Sequence, residues 1–353
     1  MNVSVIIPTF NRRESLRRTL VGLMCQTHPE FEVVVVDDGS TDGTEELLHE
    51  LKRVASFPLV PLSQANAGPA RARNRGAITA LGDVLIFLDD DTEPHPGCVA
   101  AHAALHAGRE NLVAIGPMLP DPVRKDDEPL WIAWEHAMLR KQYDAFATRE
   151  WWPPGPNHFY TGNASLRRDL FLSVGGFDAT YTRQEDVELA HRLAARKRVE
   201  FTFAPEASVY HRPLRTFESW ANVPVFYGRF DVERARRGDV GWDLIRHAYA
   251  GRNRLTRMLA RAEWACPKLS PLLRTSLKRS ADALWAKRKD RFALATLSAL
   301  YNLRYLDGAR EALGGAAALR HIALDSTPPP KLTLAPKSPP QEPRARRSAG
   351  GRR

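Results

Sequence analysis

The chain has 353 residues, of which 43% are hydrophobic and 26% are charged. A chain of this length can bury a sizeable core, and these proportions are typical of a folded globular protein. Its longest apolar runs are about five residues, whereas a helix that crosses a bilayer needs about 20. Cys25, Cys98 and Cys266 show no paired spacing, which indicates unpaired thiols in a reducing compartment.

The net charge of +10 is unevenly distributed along the chain. Residues 326–353 contain seven Lys or Arg and one Glu, and they therefore carry +6 of it, together with seven prolines. Few large apolar residues accompany them, which predicts a disordered, Pro-rich basic tail. Such a tail is either solvated or attached weakly to anionic lipid or nucleic acid. The chain has no recognisable nucleic-acid-binding motif, so we expect no specific nucleic acid partner.

The start of the chain shows no secretory signal. Met1 leads directly into a strand-like run, without a basic head, an apolar segment and a cleavage site. We therefore expect a cytoplasmic protein, with peripheral contact at the inner face of the cell membrane as the alternative location.

Strand-like and helix-like segments alternate at the start of the chain. Short runs of β-branched and other apolar residues predict strands at Val3–Pro8, Phe31–Val36 and Pro58–Leu62. Apolar residues at helical spacing predict a helix over Arg13–Gln26, and a second helix is expected over Glu45–Val54. Strand, helix, strand, helix predicts a parallel sheet with right-handed crossovers, and hence an α/β fold.

The fourth predicted strand, Val84–Leu88, runs straight into Asp89, Asp90 and Asp91. Ligands of open parallel sheets bind outside the carboxyl ends of the strands, so these carboxylates lie where a ligand would bind. Three adjacent negative charges repel one another, and a divalent metal such as Mg²⁺ or Mn²⁺ would relieve that repulsion. The alternative is a solvated acidic turn that caps the next helix.

A second strand also ends in carboxylates, Asp37 and Asp38. One of them could accept hydrogen bonds from the base or ribose of a nucleotide, while the other caps the next helix together with Ser40 or Thr41. Neither a dinucleotide-binding glycine motif nor a P-loop occurs. The phosphates of a bound nucleotide would therefore need another source of neutralisation, which a metal at the triple aspartate would supply.

Four runs occur in order over the first hundred residues: Ser4–Arg12, Val34–Asp42, Ala72–Gly76 and Phe87–Asp91. Together they resemble the successive signatures of family 2 glycosyltransferases. The resemblance implies a GT-A fold, a nucleotide-diphosphate sugar donor, a divalent metal, Mn²⁺ or Mg²⁺, and transfer with inversion at the anomeric carbon.

Site residues follow from the resemblance at matching positions. Asp38 resembles the residue that contacts the nucleotide base, while Asp89 and Asp91 match the Asp-x-Asp pair, the first facing ribose and the second facing metal and diphosphate. His211 follows a strand at the place where many members have a histidine that completes the metal shell or contacts the diphosphate. The resemblance thus implies Asp91, Asp89 and His211 as metal ligands. The expected nucleotide-sugar-binding residues are Pro8, Thr9, Asn11, Asp38, Asn66, Arg73, Asp89 and Asp90.

The acceptor half is less regular. A helix over 94–109 and a strand over 112–118 are followed by an insertion over 119–160, whose tryptophans either stack on sugar rings or simply pack: Trp131, Trp134, Trp151 and Trp152. Further on, Glu185-Asp186 at the start of a helix resembles the family's base motif, with capping of that helix as the alternative. An inverting transfer needs a carboxylate to accept the acceptor's proton, and we assign Asp186 to that role with Glu185 as second choice.

The expected organisation has three parts. Residues 1–218 form the GT-A domain, with a nucleotide-sugar half over 1–118 and an acceptor half over 119–218. Residues 219–325 form a helical, basic subdomain that either closes the acceptor side or lies on an anionic membrane. The expected partners are a nucleotide-diphosphate sugar and a glycan or lipid-linked acceptor. Rival classes are a sugar-nucleotide pyrophosphorylase, whose Gly-rich basic loop is absent, a nucleic-acid or anionic-surface binder, and a non-catalytic relative.

Overall fold

A computed structural model describes residues 2–122, 128–148, 153–181 and 183–324. The predicted tail, Trp151 and Trp152 lie outside these ranges. The strands within them are β1 (Val3–Thr9), β2 (Phe31–Asp37), β3 (Leu59–Ser63), β4 (Val84–Leu88), β5 (Thr92–Pro94), β6 (Leu112–Ile115), β7 (Met118–Pro120), β8 (Asn163–Arg167), β9 (Glu200–Phe203) and β10 (Val209–His211).

Helices connect these strands and continue beyond them. They are α1 (Arg13–Met24), α2 (Thr44–Lys52), α3 (Pro69–Thr79), α4 (Cys98–Leu105), α5 (Leu130–Thr148), α6 (Arg168–Ser173), α7 (Glu185–Arg196), α8 (Phe217–Arg237), α9 (Asp243–Ala250), α10 (Arg254–Ala265), α11 (Ser270–Ala286), α12 (Asp290–Ala312) and α13 (Ala316–Leu324). In the described ranges, none of them combines the length and the apolar character that a membrane crossing requires.

Seven strands form one central sheet in the order β3-β2-β1-β4-β8-β6-β9. All neighbours are parallel except β8, which runs antiparallel to β4 and β6. A small second sheet has the order β5-β10-β7. The predicted α/β class with a mostly parallel sheet is confirmed.

Helices cover both faces of the central sheet because alternate strand residues face opposite sides. Ile6 and Phe87 pack with residues of α3, α6 and α7 in one buried cluster. Val5 and Ile86 pack with residues of α1, α2 and α4 in the other. Both faces are therefore buried, and the carboxyl ends of the strands are left as the place for a site.

The C-terminal helices pack against the acceptor half through α8 and α12. Two glycines let these helices approach closely, because an added Cβ on Gly228 would collide with the carbonyl of Tyr305 and one on Gly308 with the carbonyl of Val225. Helix α8 begins at Phe217, and Thr216 caps it by accepting a hydrogen bond from the Ser219 N–H at 3.2 Å. The predicted helical C-terminal part is confirmed.

Several local expectations are wrong. The single strand over 112–118 is two strands, β6 and β7, which belong to different sheets. The helix expected over 94–109 is limited to Cys98–Leu105, since Pro94 ends β5. Neither Ser40 nor Thr41 caps α2: its N-cap is Gly43 at φ 83°, and Ser40 instead accepts a hydrogen bond from the Asn11 N–H.

Candidate active site

A cavity of about 1010 Å³ lies outside the carboxyl ends of β1, β2 and β4. It extends past the start of α7 to side chains of α8 and α12. The predicted site residues that line it are Pro8, Thr9, Asp38, Asn66, Arg73, Asp89, Asp90, Asp91, Glu185, Asp186 and His211. Of the predicted set, Asn11 does not line it. The topology thus brings residues far apart in the sequence to one hollow.

Asn11 joins two loops. It adopts a left-handed backbone conformation at φ 52°, which asparagine tolerates better than most residues. Its Oδ1 accepts a hydrogen bond from the Thr41 N–H at 2.8 Å, and its own N–H donates to Ser40 Oγ at 2.8 Å. Asn11 therefore holds the loop after β1 against the loop after β2.

The Asp38 carboxylate organises the loop after β3. Its Oδ1 accepts hydrogen bonds from Gln64 Nε2 at 2.7 Å and the Ala67 N–H at 2.9 Å, and its Oδ2 accepts one from the Gly68 N–H at 2.8 Å. Asp38 is 4% exposed. Its side chain therefore fixes the loop that carries Asn66 into the cavity wall.

Arg12 neutralises two of the three aspartates. Its Nη1 lies 3.0 Å from Asp90 Oδ1 and 3.0 Å from Asp91 Oδ2. The Thr9 hydroxyl donates to Asp90 Oδ2 at 2.8 Å. Burial nevertheless raises the pKa of Asp90 to about 7, with Asp91 adding to the shift and Arg12 opposing it. Repulsion among the aspartates is thus relieved in part by an arginine of the chain itself.

Arg73 performs the same task at the other side of the triad. From inside α3 it donates to Asp89 Oδ1 at 2.6 Å and to Glu185 Oε1 at 2.8 Å. Its side chain is 6% exposed, so a buried cation links the end of β4 to the start of α7. Both hydrogen bonds of the guanidinium go to these carboxylates, so Arg73 holds the two acids in position.

Asp91 and His211 show an unfilled bonding capacity. Asp91 Oδ1 is buried without a hydrogen-bond partner among the described residues, and it lies 3.7 Å from His211 Nε2. Burial lowers the pKa of His211, against the opposing effect of Asp91, which favours the neutral imidazole that binds metals. A carboxylate oxygen and an imidazole nitrogen 3.7 Å apart are ligand types that a divalent ion accepts.

Asp89 does not join that pair. Within the described ranges, no three His, Cys, Asp or Glu side chains are grouped as metal ligands would be. Arg73 pairs with Asp89 Oδ1, so Asp89 is held within the chain, and its predicted role as a metal ligand stays a prediction. Asp91 and His211 fit an ion that takes its other ligands from phosphate oxygens and water.

Asp186 lies at the start of α7 with one free oxygen. Its Oδ1 accepts a hydrogen bond from the Val187 N–H at 2.8 Å, and its Oδ2 has no hydrogen-bond partner in the described part of the chain. Desolvation raises the pKa of Asp186 to about 7, and neighbouring Glu185 adds to the rise. Because Glu185 is held by Arg73, Asp186 is the more available proton acceptor.

The chain is similar to known proteins in sequence and in fold. The model of the family described as glycosyl transferase family 2 matches residues 4–175. Over this segment, the chain is similar to glycosyl transferase family 2.

Two curated relatives have similar sequences. An uncharacterised glycosyltransferase YfnE of Bacillus subtilis is 42% identical over 118 residues, which cover 33% of this chain and 30% of that protein. A validoxylamine A glucosyltransferase of Streptomyces hygroscopicus is 34% identical over 218 residues, covering 55% of this chain and 51% of that protein. The chain thus spans about half or less of the length of these relatives.

A solved structure shares the architecture. The mannosyltransferase PcManGT from Pyrobaculum calidifontis, in complex with GDP-Man and Mn²⁺, superposes with a TM-score of 0.54 at 20% identity over 86% of each chain. The fold is therefore GT-A, as the sequence motifs implied.

Part of the cavity wall lies outside the sequence motifs. Trp134, which the sequence offered for sugar stacking or packing, lines the cavity. The residues missed are Tyr160 from the insertion and Tyr227, Tyr301 and Tyr305 from the C-terminal helices. The spacing of Tyr301 and Tyr305, one helical turn apart, was a usable signal. Trp131 instead packs against Phe217 and donates to the Arg215 carbonyl at 2.8 Å.

A buried polar network under the cavity was also missed. His102 Nε2 donates to Asn163 Oδ1 at 3.0 Å, its Nδ1 accepts from the Ser165 hydroxyl at 2.8 Å, and His106 Nε2 lies 2.8 Å from the same hydroxyl oxygen. Burial lowers the pKa of both histidines to about 4. Two histidines one turn apart on a helix of small apolar residues were its signal in the sequence. They bind α4 to the antiparallel strand β8.

Proposed function

We propose that this chain is an enzyme that transfers a sugar from a nucleotide-diphosphate donor to a hydroxyl acceptor with inversion, assisted by a divalent metal. The single observation that carries the proposal is that one cavity contains Asp91 beside His211 and also the free Oδ2 of Asp186. A leaving diphosphate and an attacking hydroxyl need these two kinds of group on opposite sides of a sugar.

The donor binds at the carboxyl ends of β1, β2 and β4. The loop fixed by Asp38 carries Asn66 and Gly68 to the wall where the nucleoside fits. Thr9, Pro8 and Asp90 form the neighbouring wall. The glucosyltransferase name of one relative and the GDP-Man bound by the mannosyltransferase support a nucleotide sugar as the ligand.

Asp91 and His211 would hold a divalent metal, and the Mn²⁺ in the mannosyltransferase structure supports this assignment. Such an ion supplies electrostatic stabilisation of the charge that develops on the departing diphosphate. Arg12 keeps the second oxygen of Asp91 fixed, so the unpartnered Oδ1 is directed toward His211.

Asp186 acts as the general base. Its carboxylate takes the proton of the acceptor hydroxyl while that oxygen forms the new bond to the anomeric carbon. The bond from the same carbon to the diphosphate oxygen breaks on the opposite face, so the configuration inverts and the electron pair leaves with the diphosphate. Arg73 positions Glu185, which precedes the base, and thereby holds the start of α7 beside Asp89.

The acceptor is a glycan or a lipid-linked saccharide in this proposal, and the work is done in the cytoplasm, in solution or at the inner membrane face. Tyr160, Tyr227 and Tyr301 line the cavity that also contains Asp186. Aromatic rings of this kind pack well against the apolar faces of sugars.

A thermal-shift panel tests the proposal. UDP-, GDP- and dTDP-sugars are added to the purified chain with Mn²⁺ or with EDTA, and Asp91→Asn serves as the matched variant. One nucleotide class should stabilise the protein with Mn²⁺ by about 2.7 kcal/mol at a hundredfold excess over its Kd, and EDTA or Asp91→Asn should remove most of this gain. No stabilisation by any donor, or equal stabilisation in EDTA, would contradict the proposal.

A further inference from the structure

The acceptor end of the cavity is built by helices outside the segment that matches the family. Tyr227 and Arg234 come from α8, Tyr301 and Tyr305 from α12, and Arg252 from the loop between α9 and α10. All five line the same cavity as Asp186. These residues therefore line the part of the cavity where the acceptor would extend beyond its reacting hydroxyl.

Tyrosines line the cavity from the base to Arg252. Tyr227 lies near Asp186, Tyr301 lies near Tyr227, and Arg252 lies near Tyr301 and Tyr305. The hydroxyls of Tyr227 and Tyr301 have no hydrogen-bond partner within the described residues. The path from Asp186 to Arg252 is thus lined by available polar groups.

The arginines along the cavity differ in their partners. Arg12, Arg73, Arg215 and Arg234 each have a carboxylate within 4 Å, with respective partners Asp90 and Asp91, Asp89 and Glu185, Glu135, and Asp231. Arg183 is exposed at the mouth and stacks over the Phe226 ring with 5.4 Å to its centroid. Arg252 has neither an acid nor a ring partner in the described ranges.

Arg252 is half-buried, so its missing partner is costly. Burial lowers the pKa of its guanidinium, and the nearby Tyr305 and Tyr301 oppose that shift. Nearby Asp231 is already bonded, because it accepts from the Tyr305 hydroxyl at 2.7 Å and lies 3.9 Å from Arg234. A partly desolvated cation without an internal counter-ion is stabilised by an anion from outside.

We propose that Arg252 binds an anionic group, a phosphate or a carboxylate, that the acceptor carries away from its reacting hydroxyl. The inference rests on the proposed function, since it uses the same cavity and names the class of acceptor. The fork of a guanidinium matches either oxyanion by two parallel hydrogen bonds. Arg234, whose nearest carboxylate is Asp231 at 3.9 Å, adds a second positive charge at this end.

The test uses the full chain with the nucleotide-sugar part of its cavity occupied. A saturating nucleoside diphosphate and Mg²⁺ are present throughout, so that added anions cannot bind where the donor diphosphate binds. Inorganic phosphate and D-glucuronate are then titrated separately, with D-glucose as the uncharged control, and melting temperature is recorded. The variants are Arg252→Gln, Arg252→Lys and the control Arg254→Gln, which alters an exposed arginine two residues away that does not line the cavity.

At least one anion should raise the melting temperature of the wild type and of Arg254→Gln, and D-glucose should not. Its apparent Kd should rise about 10- to 100-fold in Arg252→Gln, as expected for loss of a charge-assisted hydrogen bond, and less in Arg252→Lys. The anion that acts identifies the class. Absence of any anion effect in the wild type, or an unchanged Kd in Arg252→Gln, overturns the proposal.

A measurement on the unaltered protein guards against a variant that fails to fold. Phenylglyoxal modifies accessible arginines, and mass spectrometry locates the modified residue. Phosphate or glucuronate should slow modification of Arg252 at least fivefold while leaving Arg254 unchanged; equal rates would overturn the proposal. Failure of the nucleoside diphosphate itself to bind would instead count against the proposed glycosyl transfer.

Discussion

The two ends of the cavity differ in how their charges are balanced. At the donor end, Arg12 and Arg73 each hold two carboxylates at distances from 2.6 to 3.0 Å. At the acceptor end, Arg234 shares Asp231 at 3.9 Å, and Arg252 has no carboxylate among the described residues. The donor end is thus largely preorganised by the chain itself, whereas the acceptor end relies on charge that a ligand brings.

Changing the base should have the largest effect on turnover. Asp186→Asn keeps the shape of the side chain but removes its ability to accept a proton, so kcat should fall by about 10²- to 10⁴-fold while donor affinity is kept. Glu188→Gln is the control, because Glu188 pairs with Arg192 at 2.5 Å and does not line the cavity. Retained transfer in Asp186→Asn would move the base to Glu185 or elsewhere.

The same residue gives a pH dependence. Since the pKa of Asp186 is raised to about 7, the carboxyl is mostly protonated and inactive as a base below that pH. The wild-type kcat should therefore rise about tenfold per pH unit below 7 and level off above it, in a steady-state profile. A profile that is flat from pH 5 to 8 would separate Asp186 from the proton transfer.

Removal of the carboxylate next to His211 should come next in size. Asp91→Ala should lower kcat by about 10³-fold, because a metal-assisted leaving group loses several kcal/mol of stabilisation. Circular dichroism should show that the variant still folds. Unimpaired turnover in Asp91→Ala would show that Asp91 is not a metal ligand. An unchanged rate in EDTA would show that the reaction needs no metal.

Breaking the preorganised donor end should reduce stability. Arg73→Met leaves two carboxylates at the cavity wall without their buried cation, at a cost of about 3–5 kcal/mol in the free energy of unfolding. Arg229→Gln is the matched surface control, since the Arg229 side chain is 51% exposed and pairs with Glu311; its loss should stay below about 1 kcal/mol. Urea denaturation compares the two, and equal losses would show that the donor end is not specially organised.

The smallest effect concerns the scaffold under both ends. The pKa of His102 is lowered from 6.5 in the unfolded chain to about 4 in the fold, so only the unfolded state gains a proton between these values. Stability is therefore complete above pH 6.5 and declines as the pH falls toward 4, by about 2 kcal/mol for His102 between pH 7 and pH 5. The His102→Gln variant should lose part of this pH dependence in urea titrations; an unchanged slope would contradict the assignment.

The donor end could be predicted from sequence because its residues follow strands within short motifs. Short runs of β-branched and other apolar residues located β1, β2 and β4, and the carboxyl-end rule then placed Asp38 and Asp91 together. The ion pairs that Arg12 and Arg73 form with carboxylates of the site could not be predicted. The partners are up to 112 residues apart in the sequence, as with Arg73 and Glu185. Such contacts depend on tertiary packing rather than on local pattern.

The residues of the acceptor end could not be predicted from the sequence, because their positions also depend on tertiary packing. Helices α8 and α12 have apolar residues without a single clean stripe because they are covered on several sides, and Gly228 and Gly308 set their close approach. Only that approach brings Tyr227 and Tyr301 to the same hollow as Asp186. The roles assigned to the individual site residues stay predictions, and so does the domain boundary at 218.

The configuration of the first product decides whether the sugar is transferred with inversion. In a single displacement with Asp186 as base, water or an acceptor adds on the face opposite the diphosphate. The reaction of an α-linked nucleotide sugar is followed by proton NMR, before the product sugar mutarotates. The first product should therefore be a β-configured sugar. An α-configured first product would mean a retained configuration and would contradict the mechanism proposed here.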